Sequence, residues 1–302
     1  MRGQNKGEGT NFVPGDIEIQ ICLFLWYNEG RNNYGKDVYM GRLKAVTALL
    51  IIGILGCLFY ITSLIIGYIK VDEEYNGIRD SYVSRKEPGQ EDEKEMSPIP
   101  DLNIDIDGLL AANPDFVAWL YYPDSGVDYP VVKEQEDGIN GYLHRSFEGE
   151  KSSAGCLFIP YDADERFVDL NTFVYGHNMR NGSMFGSLKK LIRTPADSYA
   201  DPYFFVYNRN GDRIMYRVIS TYVTNKDSSF FAVPESISGY DEYLEQILEA
   251  GRMDGYIPFT DEELEAMERH KPIVTFSVCY GKAGTSNRQL VHGVEVLREH
   301  RE

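Results

Sequence analysis

The chain has 302 residues and a formal net charge of −17. That length allows one large domain or two ordinary ones, and the acidic balance argues against nucleic acid, which demands a basic face. The four cysteines, Cys22, Cys57, Cys156 and Cys279, show neither the paired spacing of a zinc site nor the density of a disulfide framework, so no metal or cofactor is expected.

Residues 1–39 are rich in Gly, Asn and charge, with a short apolar island at Ile17–Tyr27. The island is too short to span a bilayer. The segment reads either as a cytoplasmic tail or as residues outside the natural protein, translation then starting at Met40. Ala45 to Ile69 carries no charge and is rich in Leu, Ile and Gly, which is long enough to cross a membrane with some tilt. A signal peptide would have a shorter apolar core and a small-x-small site, and a buried core helix is the bland alternative. Arg42 and Lys44 precede the span while Asp72, Glu73 and Glu74 follow it. The positive-inside rule then leaves the N-terminus in the cytoplasm and the rest outside.

Residues 70–101 are polar, with Pro88-Gly89 and the acidic run Glu91–Glu95, and read as a solvated stalk. A folded domain is expected over residues 102–302. Ile106, Leu109 and Leu110 suggest a short helix stopped at Asn113-Pro114. The pattern then changes to period two. Candidate strands are Phe116–Tyr122, Tyr129–Val132, Cys156–Ile159, Thr172–Tyr175, Tyr203–Tyr207, Arg213–Val223, Ile273–Ser277 and Leu290–Leu297, separated mostly by Gly, Pro, Asn and Asp. Three helices interrupt them. Ser183 is placed to cap one bearing Met184, Phe185, Leu188, Leu191 and Ile192, with Pro195 beyond its end. Tyr240, Tyr243, Leu244, Ile247 and Leu248 share a helical face, and Thr260 to Glu263 reads as a capping box. The fold class is mainly β, a barrel or sandwich with helical insertions.

The chemistry gathers late in the chain. An apolar, β-branched run ends at Cys279, a Gly- and Ser-rich loop follows, and a second β-rich run carries Arg288 near its start. A thiol at one strand's end beside a guanidinium at the next strand's beginning suits a nucleophile with a group that holds substrate or oxyanion. The missing base is offered by His177, directly after Gly176 at another strand's end, where imidazole and thiol together produce a reactive thiolate. His144, in the loop after Tyr142-Leu143, is the second candidate. Each residue alone has a plainer reading: a core thiol, a surface imidazole, a solvated strand arginine. Cys156 lies in an apolar run without comparable neighbours and reads as core.

Tyr175-Gly-His-Asn-Met-Arg-Asn-Gly-Ser-Met-Phe185, the strand ending in Cys279 and Arg288 in the next strand resemble class B sortases. Asn113 to Leu120, Val127 to Val132 and Gly141 to Leu143 extend the resemblance, which covers roughly residues 102–297. It implies an eight-stranded sortase β barrel and a cysteine transpeptidase of the Gram-positive cell surface. Cys279 would be the nucleophile, His177 the acid–base and Arg288 the group binding the peptide or oxyanion. Leu143, Ser277, Val278 and Phe230 would contact the sorting peptide. The partners implied are surface proteins with a C-terminal sorting signal and an amine of a peptidoglycan precursor or cross-bridge. Val278 stands where the family carries a hydroxyl residue, and the missing hydroxyl is expected to cost a hydrogen bond to the substrate or oxyanion. A hydrolase on the same scaffold, a pilin-linking enzyme and a non-enzymatic adhesin are the competing readings.

Overall fold

The computed structural model describes residues 33–85, 97–138, 140–193, 201–251, 258–281 and 284–300. The island at Ile17–Tyr27, the acidic run Glu91–Glu95 and Pro195 lie outside them. The chain divides into two compact units, residues 1–67 and Tyr68–Glu302.

Helix α1 (Asn33–Tyr82) begins upstream of Met40 and ends in the second unit, and most of its apolar stretch belongs to the first. Leu49, Ile52, Phe59 and Tyr60 are among its exposed side chains. Its length and composition suffice to cross a membrane. The hydroxyls of Thr47 and Thr62 donate to the carbonyls of Leu43 and Leu58 four residues back, so neither is left unpaired on this apolar surface.

The second unit opens with a correction. Residues 70–82, expected as solvated stalk, are helical, and Val71, Tyr75 and Ile78 are buried. Spaced at i, i+4 and i+7, they form one apolar stripe within a polar stretch. The Tyr75 hydroxyl donates to the Gly155 carbonyl at 2.5 Å. Strand β1 (Val83–Arg85) pairs antiparallel with β2 (Leu102–Ile104), two short strands the sequence pattern did not reveal. Helix α2 (Ile106–Ala112) follows, capped by the Asp105 carboxylate on the Gly108 N–H.

The eight expected strands all form. They are β3 (Phe116–Tyr122), β4 (Val127–Lys133), β5 (Leu157–Ile159), β6 (Asn171–Gly176), β7 (Tyr203–Asn208), β8 (Asp212–Asn225), β9 (Ile273–Cys279) and β10 (Asn287–His300). They close a barrel in the order β10-β8-β7-β3-β4-β5-β6-β9. Two pairings are parallel, β4 with β5 and β6 with β9; the others are antiparallel. Alternation sends one side-chain set inward, where Trp119, Val174, Phe204, Phe276 and Val291 pack in the larger core. The outward set on β6, β8, β9 and β10 is covered by α4 (Ile237–Gly251) and α5 (Asp261–Glu268). There Phe173, Tyr222, Tyr240, Tyr243, Ile273 and Leu290 make a second core. The Thr260–Glu263 capping box is present as the sequence predicts.

The helix expected after Ser183 does not form. Only Lys190–Arg193, α3, is helical. Met184, Phe185, Leu188 and Leu191 are buried as their spacing suggested, but through a series of turns. The Ser183 hydroxyl donates to Asn181 Oδ1, Met184 takes φ 51° and bridges to Asn178, and the Phe185 N–H donates to the His177 carbonyl. These local bonds take the backbone groups a helix would have used.

Candidate active site

Register assembles the site. In the parallel pair of β6 and β9, Gly176 stands beside Val278, so the next residues, His177 and Cys279, lie beside each other at the same barrel end. In the antiparallel pair of β9 and β10, Cys279 faces Arg288, and Arg288 faces Thr224 of β8. The outer face therefore carries a row running His177, Cys279, Arg288, Thr224. Behind it lies a second row, Tyr175, Ser277, Leu290, Tyr222, and behind that Phe173, Thr275, His292, Ser220.

Cys279 is exposed, whereas Cys156 is buried at 1% exposure with its thiol pushed up to about 12 by burial. The structure thus separates an accessible thiol from a core one. His177 is partly buried, and its ring Nε2 lies 2.7 Å from the Leu143 carbonyl. A carbonyl only accepts, so Nε2 carries the proton and Nδ1 is the basic atom of the neutral ring. Desolvation holds the His177 pKa below its ordinary value, opposed by the Leu143 bond and reinforced by His144. The ring of His144, the alternative base, is 6.2 Å from that of His177 and is exposed. Arg288 Nη1 donates to the Thr285 and Asn287 carbonyls at 2.9 and 3.0 Å, which fixes the guanidinium on the β9–β10 loop. Among the described residues no carboxylate is paired with it.

The residues expected to touch peptide divide. Leu143 ends a 3-10 turn, Gly141–Leu143, and offers its carbonyl to His177. Ser277 is buried on the outward face directly behind Cys279. Phe230 sits in a 3-10 turn, Ser229–Phe231, between β8 and α4, with its ring 4.8 Å from that of Tyr222 in the second row. Val278 differs. Alternation turns it away from Cys279, and at 2% exposure it packs in the larger core. Its methyls fill the barrel, so the expected loss of a hydrogen bond to substrate does not apply to its side chain.

Two residues the sequence reading passed over support this row. Asn178 Nδ2 donates to the Cys279 carbonyl at 2.8 Å, extending the β6–β9 ladder by a side chain. Glu134 is buried, which pushes its pKa up, while the backbone N–H groups of Asn140, Tyr142 and Gly141 favour its charged form and tie it to the turn carrying Leu143. A carboxylate two strands away in sequence has no pattern to mark it. Asn178 had one signal, its place directly after His177.

Comparison with known proteins places the fold. The sortase domain matches residues 120–296. Sortase B of Listeria monocytogenes is 31% identical over 141 residues, which is 46% of this chain and 55% of that protein, so the chain spans about half the length of that relative. Sortase B of B. anthracis, solved in complex with AAEK2, superposes with a TM-score of 0.58 at 26% identity, covering 78% of this chain and 98% of that one. Sortase B of Clostridium perfringens gives a TM-score of 0.52 at 27% identity over 63% of this chain and 99% of that one. With the closed barrel and the His177–Cys279–Arg288 row already in place, the chain belongs to the sortase family and groups with the sortases of class B.

Proposed function

We propose that this chain is a membrane-anchored cysteine transpeptidase that cleaves a C-terminal sorting signal of surface proteins and passes them to a cell-wall amine. The observation that carries the reading is the row of His177, Cys279 and Arg288 across three adjacent strand ends. His177, neutral with its lone pair on Nδ1, takes the Cys279 proton as Sγ attacks the scissile carbonyl of the signal. Arg288 retains Nε and Nη2 for the peptide or the developing oxyanion. Collapse of the tetrahedral species breaks the C–N bond, and the proton on His177 goes to the departing amine. A thioester on Cys279 remains. An amine of a peptidoglycan precursor or cross-bridge then attacks it, gives its proton to His177 and releases the thiol. The apolar part of α1 anchors the enzyme, with Arg42 and Lys44 holding the N-terminus in the cytoplasm and the barrel outside.

The test is release and amine-transfer kinetics on fluorogenic sorting peptides, with mass spectrometry of the acyl group on Cys279. Cys279→Ala abolishes both reactions. His177→Ala lowers the rate by about 10²–10⁴, and Arg288→Ala by about 10²–10³. Cys156→Ala keeps activity while folded. A folded Cys279→Ala variant that still transfers refutes the reading. Acyl-enzyme discharged to water at the same rate with and without added amine assigns a hydrolase instead.

A further inference from the structure

Beneath the Ser229–Phe231 turn runs a chain of buried side-chain hydrogen bonds that the proposed chemistry does not use. The Thr275 hydroxyl lies 2.7 Å from Asn171 Oδ1 and 2.8 Å from His292 Nδ1. An amide oxygen only accepts, so Thr275 donates to Asn171, and His292 Nδ1–H donates to Thr275. Nε2 of the neutral imidazole is then an acceptor, and the Tyr222 hydroxyl donates to it at 3.0 Å. At the other end, Asn171 Nδ2 donates to the Tyr243 hydroxyl at 2.9 Å, and Tyr243 donates to the Phe230 carbonyl at 3.2 Å. The chain thus runs one way, Tyr222 to His292 to Thr275 to Asn171 to Tyr243 to Phe230. His292 and Thr275 have no exposure and Asn171 has 1%. Every hydroxyl proton is used and the terminal acceptor is main chain, so the order of donors has one solution.

Its end point matters. The Phe230 ring lies against Tyr222, directly behind the Arg288–Thr224 part of the catalytic row. The Phe231 ring stacks on Phe173 at 5.5 Å, and Phe173 lies 6.0 Å from Tyr175, behind His177. The turn therefore covers the outward face immediately behind Cys279. Its start is tied as well: the Lys226 N–H donates to the Ser286 carbonyl, and Asn225 Nδ2 donates to the Ser286 hydroxyl. Those two bonds link it to the loop that fixes Arg288.

We propose that this buried chain is the mount that holds the Ser229–Phe231 turn as a wall of the peptide groove, making Tyr243, Asn171, Thr275 and His292 positioning residues for sorting-peptide binding. The inference rests on the transpeptidase reading for the word peptide, but the mount itself is physical and is tested without substrate. A groove wall fixed by directional buried bonds binds an extended peptide without first ordering a loop, which lowers the cost of association.

Tyr243→Phe removes the O–H that donates to the Phe230 carbonyl and keeps the ring in the second core. Thr275→Val cuts the same chain in the middle with little change of volume. Hydrogen exchange is followed by mass spectrometry on full-length protein in detergent, and steady-state kinetics use the fluorogenic sorting peptide that the wild type cleaves best. Both variants are expected to exchange several-fold faster over residues 228–233 while α5 and β3 stay protected as in the wild type. KM is expected to rise several-fold with kcat within about two-fold, the scale of one neutral hydrogen bond. Either of two results overturns the mount: unchanged exchange over 228–233 in both folded variants, or exchange that rises equally across the whole barrel with KM unmoved. If the wild type cleaves no sorting peptide, the functional reading fails while the exchange result still decides the mount.

Discussion

Asn178 reaches across the end of the β6–β9 ladder to donate a hydrogen bond to the Cys279 carbonyl at 2.8 Å. The residue after the imidazole thus grips the main chain of the thiol, and the proposed base and nucleophile share one fixed frame. Replacing Asn178 with Ala frees the end of β9. One neutral hydrogen bond is worth about 0.5–1.5 kcal/mol in stability. Misplacement of reacting groups by about 1 Å costs up to about 10²-fold in rate. The expected outcome is therefore a loss of kcat much larger than the loss of stability. Peptide cleavage kinetics beside thermal melts check it; wild-type kcat in the Ala variant removes Asn178 from the positioning role.

In the proposed mechanism His177 sets the acid side of the pH profile. Its pKa lies below the ordinary imidazole value because the ring is desolvated. The neutral base therefore persists below pH 6.5, and kcat/KM holds to lower pH than a solvent-exposed imidazole allows. Weakening the Leu143 contact removes the one interaction that raises this pKa, and the acid limb then moves further down. The measurement is kcat/KM against pH for the wild type and for Gly155→Ala, whose added Cβ would crowd the Tyr142 and Leu143 carbonyls. An acid limb at or above pH 6.5 in the wild type contradicts the burial argument.

His292 links stability to pH. Burial pushes its pKa down to about 3, while in the unfolded chain it titrates near 6.5. Between these values the unfolded chain binds the extra proton, so stability is full above pH 6.5 and is lost as pH falls towards 3. The loss is about 1.4 kcal/mol for each pH unit inside that window. The groups facing His292, Tyr222, Tyr243 and Thr275, carry no charge there to offset it. His292→Gln is less stable at pH 7.5, and denaturant titrations should show the gap to the wild type narrowing as pH falls to 4.5. A gap that stays constant over that range shows that His292 is not held neutral by the fold.

Much of this was legible in the sequence. Eight strands announced themselves because alternating and β-branched runs between Gly, Pro, Asn and Asp leave little choice, and Cys279, His177 and Arg288 each stand at a strand end that register then aligns. What was hidden depends on tertiary contact. The stripe of Val71, Tyr75 and Ile78 is three residues in a polar stretch, and only the barrel surface gives it something to cover. The segment after Ser183 has helical spacing, yet Asn178 and the His177 carbonyl draw Met184 and Phe185 into turns. His292 looked like one weak histidine among several because its partners come from β8, β9 and α4.

Val278→Thr follows from the side on which that residue points. The position reads in sequence as a missing hydroxyl, but the side chain is in the barrel core. A buried hydroxyl without a partner costs about 1–3 kcal/mol. The variant is expected to melt earlier by a corresponding amount while kcat/KM stays close to wild type below the transition. A gain in turnover would show that the hydroxyl reaches substrate after all.

Gly176 carries the last prediction. It ends β6 immediately before His177 and pairs with Val278 immediately before Cys279. A Cβ added there would press into Leu157 Cδ2 and Phe185 Cδ2, well inside van der Waals distance. Both side chains are fully buried, so neither moves without disturbing its neighbours. Overpacking of this kind costs about 1–3 kcal/mol. Gly176→Ala should therefore lower the melting temperature and also displace the strand end that bears His177. The kinetic signature is a lower kcat together with slower alkylation of Cys279 by iodoacetamide, since a displaced imidazole no longer takes the thiol proton. Leu157→Ala removes one of the two clashing groups. Alone it leaves a cavity and costs about 2–5 kcal/mol. Combined with Gly176→Ala, the new methyl occupies part of that space, so the double variant should be more stable than the sum of the two single losses. A coupling energy near zero, measured by denaturant unfolding of all four proteins, would mean that the barrel end accommodates a side chain at 176 without moving Leu157.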